Sequence, residues 1–319
     1  MKYVLITGGT GTIGKALSQK LRAKGYRVMI MSRSGRGEDP NITYYSWDLN
    51  KMQIDRAAIE KADYIIHLAG AGVADKRWTA KRKEEIVSSR VESSRLLVQA
   101  LSTIPNKIKA VVSASAIGWY GPDNKQLDQN GFIETDSPYP DFLGDTCKKW
   151  EDSVEGVKQL GIRLVKLRTG IVLSNAGGAF KAFKNPLQYR LATILGTGKQ
   201  IISWIHMDDL CNQYITAIEN EKWDGVYNAV APNPITNKTL ITSMAKYLLG
   251  NFFLAIPVPA FLLKLILGEM SIEVLKSTTV SAQKIIQTGY TFIYPTIDHA
   301  MDALLSTKIN HASDEAGNI

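Results

Sequence analysis

The sequence predicts an α/β protein: a doubly wound parallel sheet of Rossmann type with a smaller C-terminal lobe. Three observations carry this. Apolar runs alternate with helical patterns through the first half of the chain. The first of those runs is followed at once by the glycine-rich stretch TGGTGTIG at residues 7–14. Beyond Leu173 the alternation fades into loop composition and scattered prolines, as expected of a lobe added after the sheet.

Taken in order, Tyr3–Ile6 is a strand, Ile13–Lys24 a helix closed by Gly25, and Arg27–Met31 and Tyr64–Leu68 are further strands. A long amphipathic helix over Lys81–Leu101 precedes the strand Ala110–Ser113. A helix over Cys147–Gln159 leads through Gly161 into the strand Arg163–Leu167. Such alternation implies right-handed crossovers, and ligands of such sheets bind at the carboxyl ends of the strands. Farther on, SNAGGAF reads as loop, SWIHMDDL opens a helical run to about Glu219, and Gly225–Val230 reads as a strand. The expected organisation is a cofactor domain over 1–230 with an excursion at about 174–202, a lobe over 231–306, and a polar, frayed tail at 307–319.

Composition narrows the function. A hydrophobic share of 45% is ample for a core, and the net charge of +8 favours an anionic partner such as a phosphorylated cofactor or acidic substrate. The two cysteines, Cys147 and Cys211, lack metal-type spacing, so no metal is expected. Together with an N-terminus that starts as a strand, they point to a reducing, cytoplasmic setting. The longest apolar stretch, Phe252–Leu267, is interrupted by Pro257, Pro259 and Lys264 and is too short to cross a bilayer of about 30 Å. It reads as a buried helix, with no membrane partner.

The glycines stand in the context that gives them meaning, between a strand and a helix start. Gly9, Gly11 and Gly14 satisfy G-x-G-x-x-G, and Gly8 adds another position without Cβ. Main-chain N–H groups in such a turn can approach a pyrophosphate at the helix N-terminus. Gly8, Gly11, Thr12, Ile13 and Gly14 are therefore the expected cofactor contacts. At the end of the second strand a free ribose 2′-hydroxyl usually meets Asp or Glu. This chain has Ser32-Arg33, with Arg36 just beyond. A guanidinium pairs with a 2′-phosphate, which predicts NADP over NAD, a solvated loop arginine being the other reading.

The chain resembles the extended short-chain dehydrogenase/reductases of the epimerase/dehydratase group in TGGTGTIG, in Trp47-Asp48-Leu49 and in His67-Leu68-Ala69-Gly70. More specifically it is similar to the bacterial "epimerase family proteins", historically linked by name to a cell-division inhibitor. HLAGAGVADKRW, SSR (Ser88–Arg90), SASAIGWYG, DFLGDTCKKWE, RTGIVLSNAGGAF, SWIHMDDL, YNAVAPNPIT and the C-terminal PVPA, LGEM and GYTFIYP carry that resemblance over nearly the whole chain. It implies Asp48 and Leu49 near the adenine, Leu68, Ala69 and Gly70 along the cofactor, Ser113 beside it, and Ser115 at the position that polarises a substrate carbonyl. A homodimer is also implied.

The chain departs from the superfamily at the Tyr-x-x-x-Lys pair. With Glu151 aligned to the acidic residue that commonly follows the pair, Leu143 stands at the Tyr position and Cys147 at the Lys position. Tyr120, at a strand end, is the substitute proton donor to consider, or else a packing residue of the GWYG loop. His206, followed by Asp208 and Asp209, titrates near neutrality but reads also as the start of a capped helix. His67 belongs at a strand end under the cofactor, and Arg168 reads equally as a substrate contact or a buried structural arginine. The basic run Lys76–Lys83 is most simply a solvated helix face, not a nucleic-acid surface. Two functions follow: an NADP(H)-dependent epimerase or oxidoreductase acting on a carbonyl or hydroxyl metabolite, with sugar nucleotides and other anionic compounds among the candidates, or an NADP(H)-binding redox regulator without turnover.

Overall fold

The computed structural model describes residues 1–124 and 131–306, so the tail expected at 307–319 lies outside the described residues. The chain divides into two compact units. The first comprises Met1–Gly121, Glu134–Thr169 and Leu210–Ala229; the second comprises Pro122–Ile133, Gly170–Asp209 and the chain from Val230 on. The excursion thus runs over 170–209, wider than the 174–202 read from composition, because Ile171–Leu173 pairs with Trp204–His206 within the second unit.

In the first unit the chain runs β1 (Tyr3–Thr7), α1 (Thr12–Ala23), β2 (Arg27–Ser32), β3 (Thr43–Asp48), β4 (Gln53–Ile54), α2 (Arg56–Lys61), β5 (Tyr64–His67), α3 (Ala80–Thr103) and β6 (Ala110–Ala116). It returns with α4 (Phe142–Val154), α5 (Gly156–Gln159) and β7 (Arg163–Thr169). The second unit then contributes β8 (Ile171–Leu173), α6 (Gly178–Lys184), β9 (Leu191–Leu195), β10 (Ile201–Ile202) and β11 (Trp204–His206) before α7 (Met207–Glu219) and β12 (Gly225–Ala229).

Eight strands of the first unit form one sheet in the order β12-β7-β6-β5-β1-β2-β3-β4, parallel except for β4. Strand order reverses about β1, which lies between β5 and β2. That reversal is where such sheets open a ligand crevice at their carboxyl edge. Buried aliphatic residues of β1, β5 and β6, such as Leu5, Ile65 and Val111, pack with Leu96, Leu97 and Val154 into the core. Strand β3 was not foreseen, because TYYSWD is half exposed and carries no apolar run. Helix α4 starts five residues before the expected Cys147, at Phe142, because the Asp141 carboxylate accepts from the Gly144 N–H at 2.8 Å and caps it.

The second unit holds short strand pairs: β8 parallel to β11, β9 parallel to β14 (Leu254–Val258), and β10 antiparallel to β13 (Ile235–Thr236). Their core gathers Phe180, Trp204, Leu240, Met244 and Met301, with α8 (Asn237–Leu249) and a closing helix, Ile297–Leu305, around it. The buried helix expected over Phe252–Leu267 is corrected here. Pro257 and Pro259 forbid a continuous helix, so the segment becomes edge strand β14 followed by α9 (Ala260–Leu267). Only Leu263 of α9 is buried; Phe261 is 72% and Leu265 70% exposed. No helix among the described residues is long and apolar enough to cross a membrane.

Candidate functional site

The glycine loop lies between β1 and α1, at the carboxyl edge where strand order reverses. Gly8 has φ +69°, and a Cβ there would fall 2.9 Å from the Leu68 carbonyl, so both conformation and space require glycine. A Cβ on Gly14 would lie 2.5 Å from the Gly9 Cα, which is how closely helix and loop approach. At Gly11 a Cβ would meet only the Gly8 carbonyl oxygen, at 3.4 Å, an ordinary contact. Gly11 is also the N-cap of α1 and places no side chain over the helix N-terminus. Thr12 is exposed and Ile13 half-buried beside it. The first-turn N–H groups therefore point to a cradle shaped for an anion.

At the end of β2, Ser32 Oγ is buried and has no hydrogen-bond partner among the described residues, while the Arg33 side chain next to it is exposed. At the end of β3, the Asp48 carboxylate accepts from the Asn50 and Lys51 N–H groups at 3.0 and 3.2 Å, and Leu49 packs on the core. After β5, Leu68 is half-buried, Ala69 buried and Gly70 exposed. The Ala69 N–H donates to Thr7 Oγ1 at 3.3 Å, tying this loop to β1. His67 lies fully buried between Thr7 and Ser94, its ring nitrogens 2.7 and 3.1 Å from their hydroxyls. Burial pushes its pKa down to about 4, so the ring is neutral.

A buried polar network occupies the ends of β6, β7 and β12, and parallel register builds it. Ser115 lies opposite Arg168, and Arg168 opposite Asn228; one repeat earlier, His67 lies opposite Ser113 and Ser113 opposite Lys166. With a side-chain period of two, these residues share one face of the sheet. Helix α4 lies over that face, with Cys147 and Glu151 four residues apart on one side of the helix and Glu155 at its C-cap. The Ser115 hydroxyl donates to Glu151 Oε1 at 2.7 Å. Arg168 donates to both oxygens of that carboxylate at 2.8 and 3.1 Å, and Lys166 stands 3.5 Å from it and also pairs with Glu155. Ser113 is buried, its hydroxyl turned to the Ala114 carbonyl.

Tyr120 has no exposed surface. Its hydroxyl accepts from Arg168 at 2.9 Å and donates to Asn228 Oδ1 at 2.7 Å, while the guanidinium lies 3.6 Å over the Trp119 ring. Burial pushes the Tyr120 hydroxyl pKa up. The phenol is thus a fixed member of the network. Glu134 closes it: its carbonyl accepts from Arg168 and its carboxylate from the Asn228 N–H. Sequence reading used Glu151 only as an alignment mark and overlooked Asn228 and Glu134. The available signal was the pair Lys166 and Arg168 on a strand that must be buried, since buried cations demand carboxylates.

Leu143 and Cys147, where the resemblance expects the Tyr and Lys, lie against the loop after β6: a Cβ on Gly118 would stand 3.2 Å from Leu143 Cβ and 3.7 Å from Cys147 Sγ. Leu143 offers no proton. Cys147 is buried against the Ala116 carbonyl, and burial, with Glu151 nearby, pushes its thiol up to about 12. That holds it as an un-ionised thiol at neutral pH.

Other sequence candidates have structural work. His206 Nδ1 accepts from the Asp208 N–H at 3.1 Å, and its ring lies 3.9 Å from that of Tyr294. The Asp209 carboxylate accepts from the Ile293 and Tyr294 N–H groups at 2.8 and 2.9 Å, so SWIHMDDL and GYTFIYP lock together in the second unit. The basic run divides: Trp78 packs edge-on to Phe142 and donates to the Val73 carbonyl, Arg82 is buried and pairs with Glu85 at 2.7 Å, and Lys76, Arg77 and Lys81 are exposed.

A largely parallel, doubly wound sheet with a glycine cradle at its reversal point is a Rossmann nucleotide-binding fold. The chain belongs to the NAD dependent epimerase/dehydratase family, whose model matches residues 4–229; a domain of unknown function matches residues 258–304. Among relatives, an epimerase family protein of Staphylococcus haemolyticus is 33% identical over 96% of this chain and 99% of its own. The epimerase family protein YfhF of Bacillus subtilis is 32% identical over 96% and 98%. Among solved structures, the human epimerase family protein SDR39U1 with NADPH aligns with a TM-score of 0.83 and 28% identity, over 95% of this chain and 99% of that one. A nucleoside-diphosphate sugar epimerase from Corynebacterium glutamicum aligns at 0.75 and 25% identity, over 100% of this chain and 62% of its own.

Proposed function

We propose that this chain binds NADP(H) and exchanges hydride with a hydroxyl or carbonyl carbon of a small anionic metabolite, as an atypical member of its family. The observation that carries the cofactor is the buried, partnerless Ser32 Oγ beside the exposed Arg33. A 2′-phosphate would give the hydroxyl an acceptor and the guanidinium an anion. The NADPH in the human relative supports the same choice. Gly8, Gly11, Thr12, Ile13 and Gly14 would hold the pyrophosphate, Leu68–Gly70 the ribose side, and Asp48 and Leu49 the adenine end. The bound cofactor supplies the hydride; the protein supplies orientation and polar contacts.

Ser113 and Ser115 would line the reacting end. Because Ser115 donates its proton to Glu151, it would offer a ligand its lone pairs and accept from a substrate hydroxyl. Tyr120 is in this reading a positioning residue that holds Arg168, and not the proton donor. An anionic substrate suits the charge of +8, and the sugar-nucleotide enzyme from Corynebacterium glutamicum supports a substrate of that class. A small molecule is favoured over nucleic acid because Trp78 is turned onto Phe142, leaving no aromatic in the basic run for base stacking. The buried cysteines, neither in a disulfide with a described residue, suit a reducing cytoplasm.

Leu143 and the inert Cys147 favour a second reading, cofactor binding without turnover, in which the protein is a redox-responsive regulator. Calorimetric titration with NADPH and NADH comes first; tight NADPH and weak NADH support the cofactor assignment, and no binding to folded protein ends it. A panel of carbonyl and sugar-nucleotide substrates then separates the readings. Turnover that Ser115→Ala abolishes supports the enzyme. No turnover, with NADPH-dependent protease protection retained in Ser115→Ala, supports the regulator. Light scattering on the same samples tests the homodimer.

A further inference from the structure

Four cationic side chains are buried among the described residues: Arg82, Arg90, Lys166 and Arg168. Three have carboxylates: Arg82 pairs with Glu85, Lys166 with Glu155 and Arg168 with Glu151. Arg90 has none. It is 9% exposed, its Nη1 donates to the Ala71 and Ile86 carbonyls at 2.9 Å each, and its guanidinium lies 4.9 Å over the Trp150 ring. Of the charged or titratable groups that act on it, the Cys147 thiol stays protonated and Arg82 repels it.

A buried unpaired cation costs several kcal/mol, whereas a neutral amide could serve two carbonyls at far smaller cost. The charge therefore points to an anion that the folded chain does not itself supply. Its position says which. A Cβ on Gly70 would fall 3.1 Å from the Arg90 Cγ and Cζ, so the guanidinium supports the Gly70–Ala71 turn from below. That turn leaves β5, whose end pairs with the end of β1 through Thr7 and His67, and β1 carries the glycine cradle. The cation thus lies beside the point where strand order reverses, where a dinucleotide carries its two diphosphate charges.

We infer that Arg90 is the fixed positive charge for the diphosphate bridge of the bound dinucleotide, a positioning residue acting through the Gly70–Ala71 turn. The inference rests on the NADP(H) reading above. In a low-dielectric surrounding its field is weakly screened, so contact with bulk solvent is not needed for it to act.

Three ligands locate the effect: NADPH and 2′-phospho-ADP-ribose, which carry the diphosphate, and 2′-AMP, which does not. With Arg90→Met, both diphosphate ligands should bind about tenfold more weakly and 2′-AMP should bind as before. Arg90→Lys, which keeps the charge, should recover most of the loss. Unchanged NADPH affinity, a loss confined to NADPH, or an equal loss of 2′-AMP would each overturn the inference. If Arg90→Met does not fold, the contrast between Arg90→Lys and Arg90→Gln answers the same question. Native protein that binds none of the three would instead overturn the NADP(H) reading itself.

Discussion

Ser115 and Glu151 are joined by a 2.7 Å hydrogen bond in which the hydroxyl donates, while Arg168 grips the same carboxylate with two nitrogens. The two contributions differ in kind. Ser115→Ala removes one hydrogen bond from a carboxylate that keeps its cations and should destabilise the fold by about 1 kcal/mol. Glu151→Gln leaves Arg168 buried without its counter-charge and should cost about 3–5 kcal/mol. Urea unfolding of both variants checks the ordering; equal losses would mean that the ion pair contributes nothing beyond the hydroxyl bond.

The Gly14–Gly9 approach leaves no room for a methyl group. Gly14→Ala should displace the loop and weaken NADPH binding by at least about tenfold, with a smaller effect on melting temperature. Titration calorimetry reads the first quantity and differential scanning calorimetry the second.

Arg33→Ala should weaken NADPH by about 10- to 100-fold, the range for a charge-assisted hydrogen bond, and leave NADH unmoved. The ratio of the two dissociation constants is the measurement. An unchanged ratio would assign the 2′-phosphate to other residues.

His67 is neutral in the fold, with its pKa pushed down to about 4 from an ordinary 6.5. Between these values the unfolded chain binds a proton that the folded chain does not, so stability falls as pH drops through this window. The loss approaches about 3 kcal/mol near pH 4. In His67→Gln the stability-against-pH curve between 6.5 and 4 should be flatter by about one proton; a curve as steep as native would place the proton uptake elsewhere.

Cys147 and Cys211 are both buried, and neither forms a disulfide with a described residue. At pH 8 neither should react with a thiol reagent on the minute scale in folded protein, and both should react at once in denaturant. Rapid native labelling at Cys147 would reveal an opening of α4 away from the loop after β6.

Local pattern made much of the first unit readable. Val4–Ile6 and Ile65–Ile66 are fully buried aliphatic runs, and the glycine motif declares itself through its flanking strand and helix. The strand-end network was not readable, because Ser115, Arg168 and Asn228 meet only through the register of three strands far apart in sequence. Strand β3 escaped because Thr43, Ser46 and Asp48 interrupt its aromatic residues and only Trp47 is buried. The segment Phe252–Leu267 misled because hydropathy says what is apolar and not what is covered; Phe261 and Leu265 remain in solvent although their helix forms.

The neighbourhood of Arg90 and Cys147 makes substitutions there interdependent. A lysine at position 147 would enter between the buried Arg90 guanidinium, which would repel it, and the Glu151 carboxylate, which Arg168 and Lys166 already hold. Its effect on stability would therefore depend on which residues occupy 90 and 151, and the three positions form an epistatic set whose single-substitution effects do not add.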